Sequence, residues 1–320
     1  MGKSWKLQAE ASRKRVQEAL LAHEDALDWD WDIVLSGREV ADDQPEDWIL
    51  EAYLPRKPTK ADRAAVAALF GKRPPRLSAE ELPDEDWVTL SQEGVEPIRT
   101  GRFHVHTPEF SSLAEKGVVN FAIPASQAFG TGQHETTAGC LAMLDAMKRK
   151  GVLARNVADI GTGTGLLAFA ALALWPRALA TASDIDDVCV DVVERNAADN
   201  GVAMGGGPGA LTMVVADGME HPVLQARAPY DLLIANILAG PLVELAQDFG
   251  KAVLPGGNLL LAGLLTSQEA AIRAAYRKAG FRLAQRITNG DWSILWLRRR
   301  SVKPSHPGRA HRLPQWARRW

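Results

Sequence analysis

Val157-Ala158-Asp159-Ile160-Gly161-Thr162-Gly163-Thr164-Gly165-Leu166-Leu167-Ala168-Phe169 is the stretch on which the reading of this chain turns. A short apolar run enters a loop with glycine at every second position, and an alanine- and leucine-rich segment follows at once. That spacing predicts strand, tight turn and helix. Gly161, Gly163 and Gly165 leave no side chains between the amides at the helix start and a ligand laid against them. Asp184, in Ser183-Asp184-Ile185-Asp186, closes the next apolar run 23 residues after the first glycine. A third run, Tyr230 to Asn236, ends on a side-chain amide and leads into Ile237-Leu238-Ala239-Gly240-Pro241. Polar residues at successive strand ends predict a parallel α/β sheet with a nucleoside-bearing ligand at its carboxyl edge.

The glycine spacing separates two kinds of ligand. Dinucleotide folds use Gly-x-Gly-x-x-Gly, and here the third glycine comes one residue early. A dinucleotide also brings a pyrophosphate, which favours helix-end amides and is repelled by a carboxylate beside them. S-adenosylmethionine carries no phosphate but has a sulfonium, an ammonium and a carboxylate. Asp159 suits that cationic end, and Asp184 is placed to accept hydrogen bonds from the ribose hydroxyls. Asp217, in Val214-Val215-Ala216-Asp217-Gly218, follows the next strand and is expected to face the adenine amino group. A nicotinamide oxidoreductase is therefore disfavoured.

Composition narrows the class. The chain has 320 residues, 46% hydrophobic and 24% charged, with a formal charge of −2. That is ordinary for a soluble globular protein, and gives no global attraction to nucleic acid. Only Cys140 and Cys189 are present, which excludes a disulfide framework or a thiolate metal cluster and suits a reducing compartment. With no apolar run near 20 residues and no apolar core at the N-terminus, a cytoplasmic protein without a membrane span or metal is expected.

Residues 1–83 alternate strand and helix patterns: Ser4–Ala9 strand, Ala11–His23 helix, Trp29–Leu35 and Trp48–Leu54 strands, Lys60–Phe70 helix, Arg76–Leu82 strand. The order β-α-β-β-α-β predicts a small α+β ferredoxin-like domain. A linker helix is expected over Asp84–Gln92 within residues 84–98. Residues 99–300 would form the α/β domain, opening on strands Arg102–His106 and Val118–Pro124. Gly205–Gly209 predicts a turn before a strand at Leu211–Val215. Residues 298–320 hold eight Lys or Arg and no acid, with Pro304, Pro307 and Pro314 opposing a helix. A basic, disordered tail at 301–320 is expected.

Two further segments bear on chemistry. Phe129-Gly-Thr-Gly-Gln-His-Glu-Thr-Thr137 precedes a helix carrying Leu141, Leu144 and Met147. Thr136 or Thr137 would cap that helix, and the glycines with Phe129 would cover a bound ligand. His134 and Glu135 are weaker candidates, as base and as ammonium partner. At the end of the third run, Asn236 would accept an N–H bond from an amine and aim its lone pair at a methyl donor, where alignment supplies much of the rate. A simple turn before a helix is the competing reading of that asparagine. No general base is obvious.

Phe-Gly-Thr-Gly-x-His-x-Thr-Thr, Asp-Ile-Gly-Thr-Gly-Thr-Gly, Asp-Ile-Asp and Ala-Asn-Ile-Leu-Ala-Gly-Pro-Leu together resemble the bacterial ribosomal protein L-eleven methyltransferase (PrmA) family. The likeness is clearest from Glu85 to Arg298, and the closing Gly290–Arg298 looks like that family's last strand. Protein methyltransferases acting on glutamine carry Asn-Pro-Pro-Tyr where this chain has Asn236-Ile-Leu-Ala. The resemblance implies a class I S-adenosylmethionine methyltransferase, a Rossmann-like doubly wound sheet, joined to a substrate-recognising ferredoxin-like domain. It implies methylation of the N-terminal α-amine and lysine side chains of one ribosomal protein. It also places cofactor contacts on Thr137, Gly161, Asp184 and Asn236. The first 80 residues match only in pattern. The Gly205–Gly209 insertion and the basic tail depart from the family's form.

Glu24 to Glu51 contains eleven acids and one base, with Trp29, Trp31 and Trp48 among them. Such a segment would steer a lysine-rich substrate, the tryptophans offering cation–π faces. An ordinary solvated face over buried tryptophans is the alternative. The tail would give a weak RNA contact or be a solvated appendage. A monomer is expected. Competing functions are a methyltransferase acting on RNA or another amine, and a non-catalytic ribosome-binding module.

Overall fold

The computed structural model describes residues 5–24, 29–30, 33–40, 46–81, 97–124 and 133–301. The expected linker helix, Phe129, Trp31 and residues 302–320 lie outside them. The chain divides into two compact units, with Ile98–Ile123 and the residues from Glu135 onward in the second.

The first unit contains β1 (Trp5–Ser12), α1 (Arg13–Glu24), β2 (Val34–Glu39), β3 (Asp47–Leu54), α2 (Lys60–Ala68) and β4 (Leu77–Glu81). Its strands pair antiparallel in the order β2-β3-β1-β4, the split βαβ pattern expected. Period-2 alternation puts Leu7 and Ala9 of β1 with Leu50, Ala52 and Leu54 of β3 on one face, buried with Val16 and Ala19 of α1 and Val66 of α2. Each such leucine contributes about 1.5–3 kcal/mol by leaving water. Thr59 and Asp62 form a capping box that starts α2.

One strand falls elsewhere than its sequence indicated. Of the strand expected over Trp29–Leu35, Trp29, Asp30 and Ile33 are not in a strand, and β2 begins only at Val34. Trp29 is buried outside the sheet with its indole Nε1 donating to the Ile33 carbonyl at 3.1 Å. Gly37 conceals β2 in the sequence, yet α1 needs it there: a Cβ would crowd Val16 and Leu20. Of the described tryptophans of this segment, Trp29 is buried and Trp48 already has the Arg13 guanidinium 5.5 Å from its ring. Of the acids, Glu51 is buried on the sheet face away from the helices. Burial would raise its pKa, but bonds from Gln8, Arg38 and Tyr53 and the charge of Lys6 outweigh that and hold it at about 2. Asp30 pairs with Arg56 at 2.6 Å. Glu46 and Asp47 of this segment are exposed.

The second unit opens on a three-stranded sheet of β5 (Ile98–Thr100), β6 (Phe103–His106) and β7 (Val119–Ala122), of which β5 was not foreseen. Next come α3 (Gln133–Arg149), β8 (Asn156–Ile160), α4 (Leu166–Leu174), β9 (Leu179–Asp184), α5 (Val188–Asp199), β10 (Ala203–Met204) and β11 (Ala210–Val215). Then follow α6 (Pro222–Arg227), β12 (Tyr230–Asn236), α7 (Ala239–Glu244), α8 (Ala246–Ala252), β13 (Val253–Leu265), α9 (Glu269–Lys278), β14 (Phe281–Asn289) and β15 (Trp292–Arg299).

The large sheet runs β10-β11-β9-β8-β12-β13-β15-β14. Its strands are parallel except β15, antiparallel to both β13 and β14. This is the doubly wound Rossmann-like class. Strand order turns outward in both directions from β8 and β12, and ligands of such sheets bind at that reversal, beyond the carboxyl ends. α4 is apolar all round because every residue but Ala173 is buried; Phe169 reaches Phe121 of β7 with ring centroids 6.3 Å apart. Gly139 lets α3 lie close on β15, where a Cβ would run into the Ile294 side chain.

Candidate active site

The glycine loop spans the end of β8 and the start of α4. All three glycines have positive φ, +70° at Gly161, +55° at Gly163 and +83° at Gly165, a region costly for other residues. Two of them also clear space inside the protein: a Cβ on Gly161 would overlap Ile237, and one on Gly165 would strike the Phe169 ring. Gly163 faces open space, with nothing within 4 Å of a Cβ placed there. The neighbouring strand fixes the loop. Ser183 O accepts from Gly161 N at 2.8 Å and Thr162 N at 2.9 Å, and the Asp184 carboxylate accepts from Gly163 N at 2.8 Å. From α5, the buried Asn196 amide donates to Thr164 O at 3.0 Å. Asn196 was missed in the sequence, though an asparagine beside Val193 and Ala197 on a helix's buried face was the available sign.

Asp159 sits beneath this loop, 1% exposed. One oxygen accepts from Thr162 Oγ1 at 2.7 Å and Ala168 N at 3.0 Å; the other, equally buried, has no partner among the described residues. Burial pushes its pKa up to about 7, against the pull of those two bonds and helped by the negative charge of Asp184. A cation reaching the partnerless oxygen would reverse that shift. Asp184 stands half-buried at the end of β9, and Asp186 N also donates to it, at 3.2 Å. Beside it the Cys189 thiol is pushed up to about 12 by burial and by Asp184 and Asp186, which makes it inert.

Asn236 is the last residue of β12, half-buried. Ile237 behind it is wedged between two glycines: its side chain fills the place of a Cβ on Gly161, and its backbone that of a Cβ on Gly263, where β13 shifts register. Close approach of three strand ends sets where Asn236 stands. Asp217 is exposed just past β11. Thr137 is buried on α3. It does not cap that helix, and neither does Thr136, because α3 starts already at Gln133 and the two are its fourth and fifth residues. Glu135 is exposed, its carbonyl accepting from Asn289 Nδ2 at 3.0 Å. His134 and Phe129 carry no described side chain.

The carboxyl edge is acidic: Asp184 ends β9, Asp186 and Asp187 follow it, and Asp217 follows β11. Such an edge opposes a pyrophosphate and suits a cationic nucleoside. The partnerless oxygen of Asp159 and the open face at Gly163 fit S-adenosylmethionine on the same grounds. The model of the family described as ribosomal protein L11 methyltransferase (PrmA) matches residues 15–300.

The chain belongs to the ribosomal protein L11 methyltransferase family. The family match extends into the first unit, farther than the motifs alone carried the resemblance. A ribosomal protein L11 methyltransferase of Brucella suis is 40% identical over 235 residues, 73% of this chain and 79% of that protein. One from a Caulobacter species is 37% identical over 252 residues, 79% of this chain and 83% of that protein. Among solved structures, a ribosomal protein L11 methylase from Lactobacillus delbrueckii subsp. bulgaricus superposes with a TM-score of 0.51 at 28% identity. It covers 64% of this chain and 97% of its own.

Proposed function

We infer that the chain is an S-adenosylmethionine-dependent N-methyltransferase of ribosomal protein L11, and that the N-terminal α-amine and lysine side chains accept the methyl groups. The observation that carries this reading is the loop at β8, pinned to Asp184 and open at Gly163, in a chain whose family is that of L11 methyltransferases. When bound, S-adenosylmethionine supplies a methyl group activated by its sulfonium.

The residues divide the remaining work. Asp184 accepts from the ribose hydroxyls and Asp217 from the adenine amino group. Asp159 meets the ammonium, Gly161, Gly163 and Gly165 give the backbone its close approach, and Thr137 and Phe129 complete the methionine side. Asn236 accepts an N–H of the incoming amine and aims its lone pair. An α-amine, with a reference pKa of about 7.7–8.0, loses its proton near neutrality, whereas lysine at about 10.4 needs desolvation first. Residues 1–83 recognise the substrate, 84–98 link, 99–300 catalyse, and 301–320 make a weak RNA contact. The protein acts as a cytoplasmic monomer; among the described residues no helix is long and apolar enough to cross a membrane.

Incubation with labelled S-adenosylmethionine and a ribosomal-protein extract, followed by mass mapping, tests the assignment. Label is expected on the L11 N-terminus and lysines. Label found only in RNA would overturn the substrate.

A further inference from the structure

Charge is distributed very unevenly along this chain. Against an overall −2, residues Ala270 to Arg300 hold eight bases, seven of them arginine, and a single acid, Asp291. Three of these bases are engaged inside the fold. Arg273 and Arg286 hold the buried Glu269 at 3.1 and 2.6 Å, and Arg299 donates to the Val253 carbonyl. The other five, Arg277, Lys278, Arg282, Arg298 and Arg300, are exposed and form no ion pair among the described residues, although Arg298 also donates to the Gly256 carbonyl at 3.4 Å.

The antiparallel pairing of β14 and β15 concentrates them. Arg282 stands directly opposite Arg298, and the backbone amide of Arg300 donates to Gly280 O at 2.9 Å, adding the next rung. Alternation puts Arg282, Arg298 and Arg300 on one face, away from Phe281 and Leu297, which are buried in the core with Tyr276 of α9. On that same face, one rung inward, Lys150 from the end of α3 donates to Gln285 Oε1 at 2.6 Å, with its ammonium 5.5 Å from the Trp296 ring. The result is a strip of four cations.

Like charges directly opposite in an antiparallel pair are unfavourable, and here no acid offsets them. The strip lies toward the amino end of β13, where Arg298 is paired with Asn258, whereas Asn236 is paired with Ala262 farther along. An occupant would leave the carboxyl edge free.

We propose that this corner of the α/β unit is a docking surface for the phosphate backbone of RNA. Arginine's planar fork matches phosphate oxygens in pairs, and arginine dominates the cluster. An anionic membrane would call for apolar side chains beside the cations, and the aromatic beneath this strip, Trp296, is buried. The choice of RNA rests on the ribosomal-protein reading of the site; the surface itself does not.

The test is titration of a fluorescein-labelled RNA hairpin with the full chain, followed by anisotropy over a range of salt. Arg282→Glu is the informative variant, because a glutamate opposite Arg298 replaces repulsion by an ion pair and favours folding. It is expected to weaken RNA binding about tenfold and to reduce the salt slope by about one or more. Methyl transfer to free L11 should stay within twofold, which separates this proposal from that of the catalytic site. RNA affinity unchanged in Arg282→Glu, or wild-type binding to phosphatidylserine vesicles but not to the hairpin, would overturn it.

Discussion

The Gly163 amide donates to the Asp184 carboxylate over 2.8 Å, tying the turn after β8 to the end of β9. The two residues lie 21 positions apart and close neighbouring parallel strands. With Ser183 O holding the two preceding amides, the loop is shaped before any ligand arrives. Little ordering is left for binding to accomplish, which is the thermodynamic advantage of preorganisation.

Asp184 thus has two jobs, holding the loop and accepting from the ligand. Hydrogen bonds to charged groups contribute about 1.5–3 kcal/mol each, so Asp184→Ala should weaken S-adenosylmethionine binding by roughly 10- to 100-fold or more. Titration calorimetry of the purified variant reads this directly. An affinity within threefold of wild type would show that the carboxylate holds nothing but its own loop.

Gly161 and Gly163 predict a contrast. Alanine at either pays about 1–2 kcal/mol for its positive φ. At Gly161 the new methyl also overlaps Ile237, adding about 1–3 kcal/mol of overpacking. Gly161→Ala should therefore lower the melting temperature clearly more than Gly163→Ala, whose methyl points into open space. Both should lose cofactor affinity, Gly163→Ala because its methyl takes the ligand's room. Equal melting temperatures would contradict the packing role given to Gly161.

How far the sequence exposed this arrangement depends on what each residue does there. The doubly wound sheet was legible because β8, β9 and β12 are short apolar runs, β9 and β12 ending on Asp184 and Asn236 and β8 carrying Asp159 one residue from its end. The motif glycines were legible for the same reason. β2 was not: its period-2 signal is broken by Gly37, which helix packing requires. The start of α3 was misplaced because Thr136 and Thr137 look like caps, whereas tertiary contacts bury both as its fourth and fifth residues. Of the partners that orient the site, Ser183 acts through its backbone carbonyl, which leaves no mark on residue type, whereas Asn196 donates its side-chain amide to the Thr164 carbonyl, and only its place on a buried helix face betrays it. Asp159 stands out in the sequence by its place before the glycines, but nothing in its neighbours along the chain indicates complete burial.

That burial has a pH signature. The Asp159 carboxyl, ordinarily near 3.8, is raised to about 7 in the folded protein. Between those values the folded state keeps a proton that the unfolded chain has released, so stability falls as pH rises through the window and levels off above it. The total is at most about 4 kcal/mol, from roughly 1.4 kcal/mol per pKa unit. Glu51 and Asp62, both held at about 2, act in the opposite sense and at lower pH. Asp159→Asn should flatten the decline between pH 4 and 7 in urea unfolding of the cofactor-free protein. An identical slope in variant and wild type would mean that Asp159 is ionised throughout.

Asn236 ends β12 at a position set by Ile237, which is itself locked between Gly161 and Gly263. If its amide aims the acceptor amine, removing it should act on turnover more than on cofactor affinity. Misplacement by about 1 Å at a reacting centre costs on the order of 100-fold in rate. Asn236→Ala should lower kcat for L11 methylation by about that factor, with the dissociation constant of S-adenosylmethionine changed only a fewfold. Asn236→Asp places a carboxylate at the same spot and keeps the acceptor oxygen, but it also holds the amine in its protonated, non-nucleophilic form. Its activity should therefore recover as pH is raised toward the lysine range, whereas that of Asn236→Ala should not. Stopped-flow single turnovers separate the chemical step from binding in both variants. A full loss of cofactor affinity in Asn236→Ala, with normal turnover at saturation, would reassign the residue from aiming the amine to holding the donor.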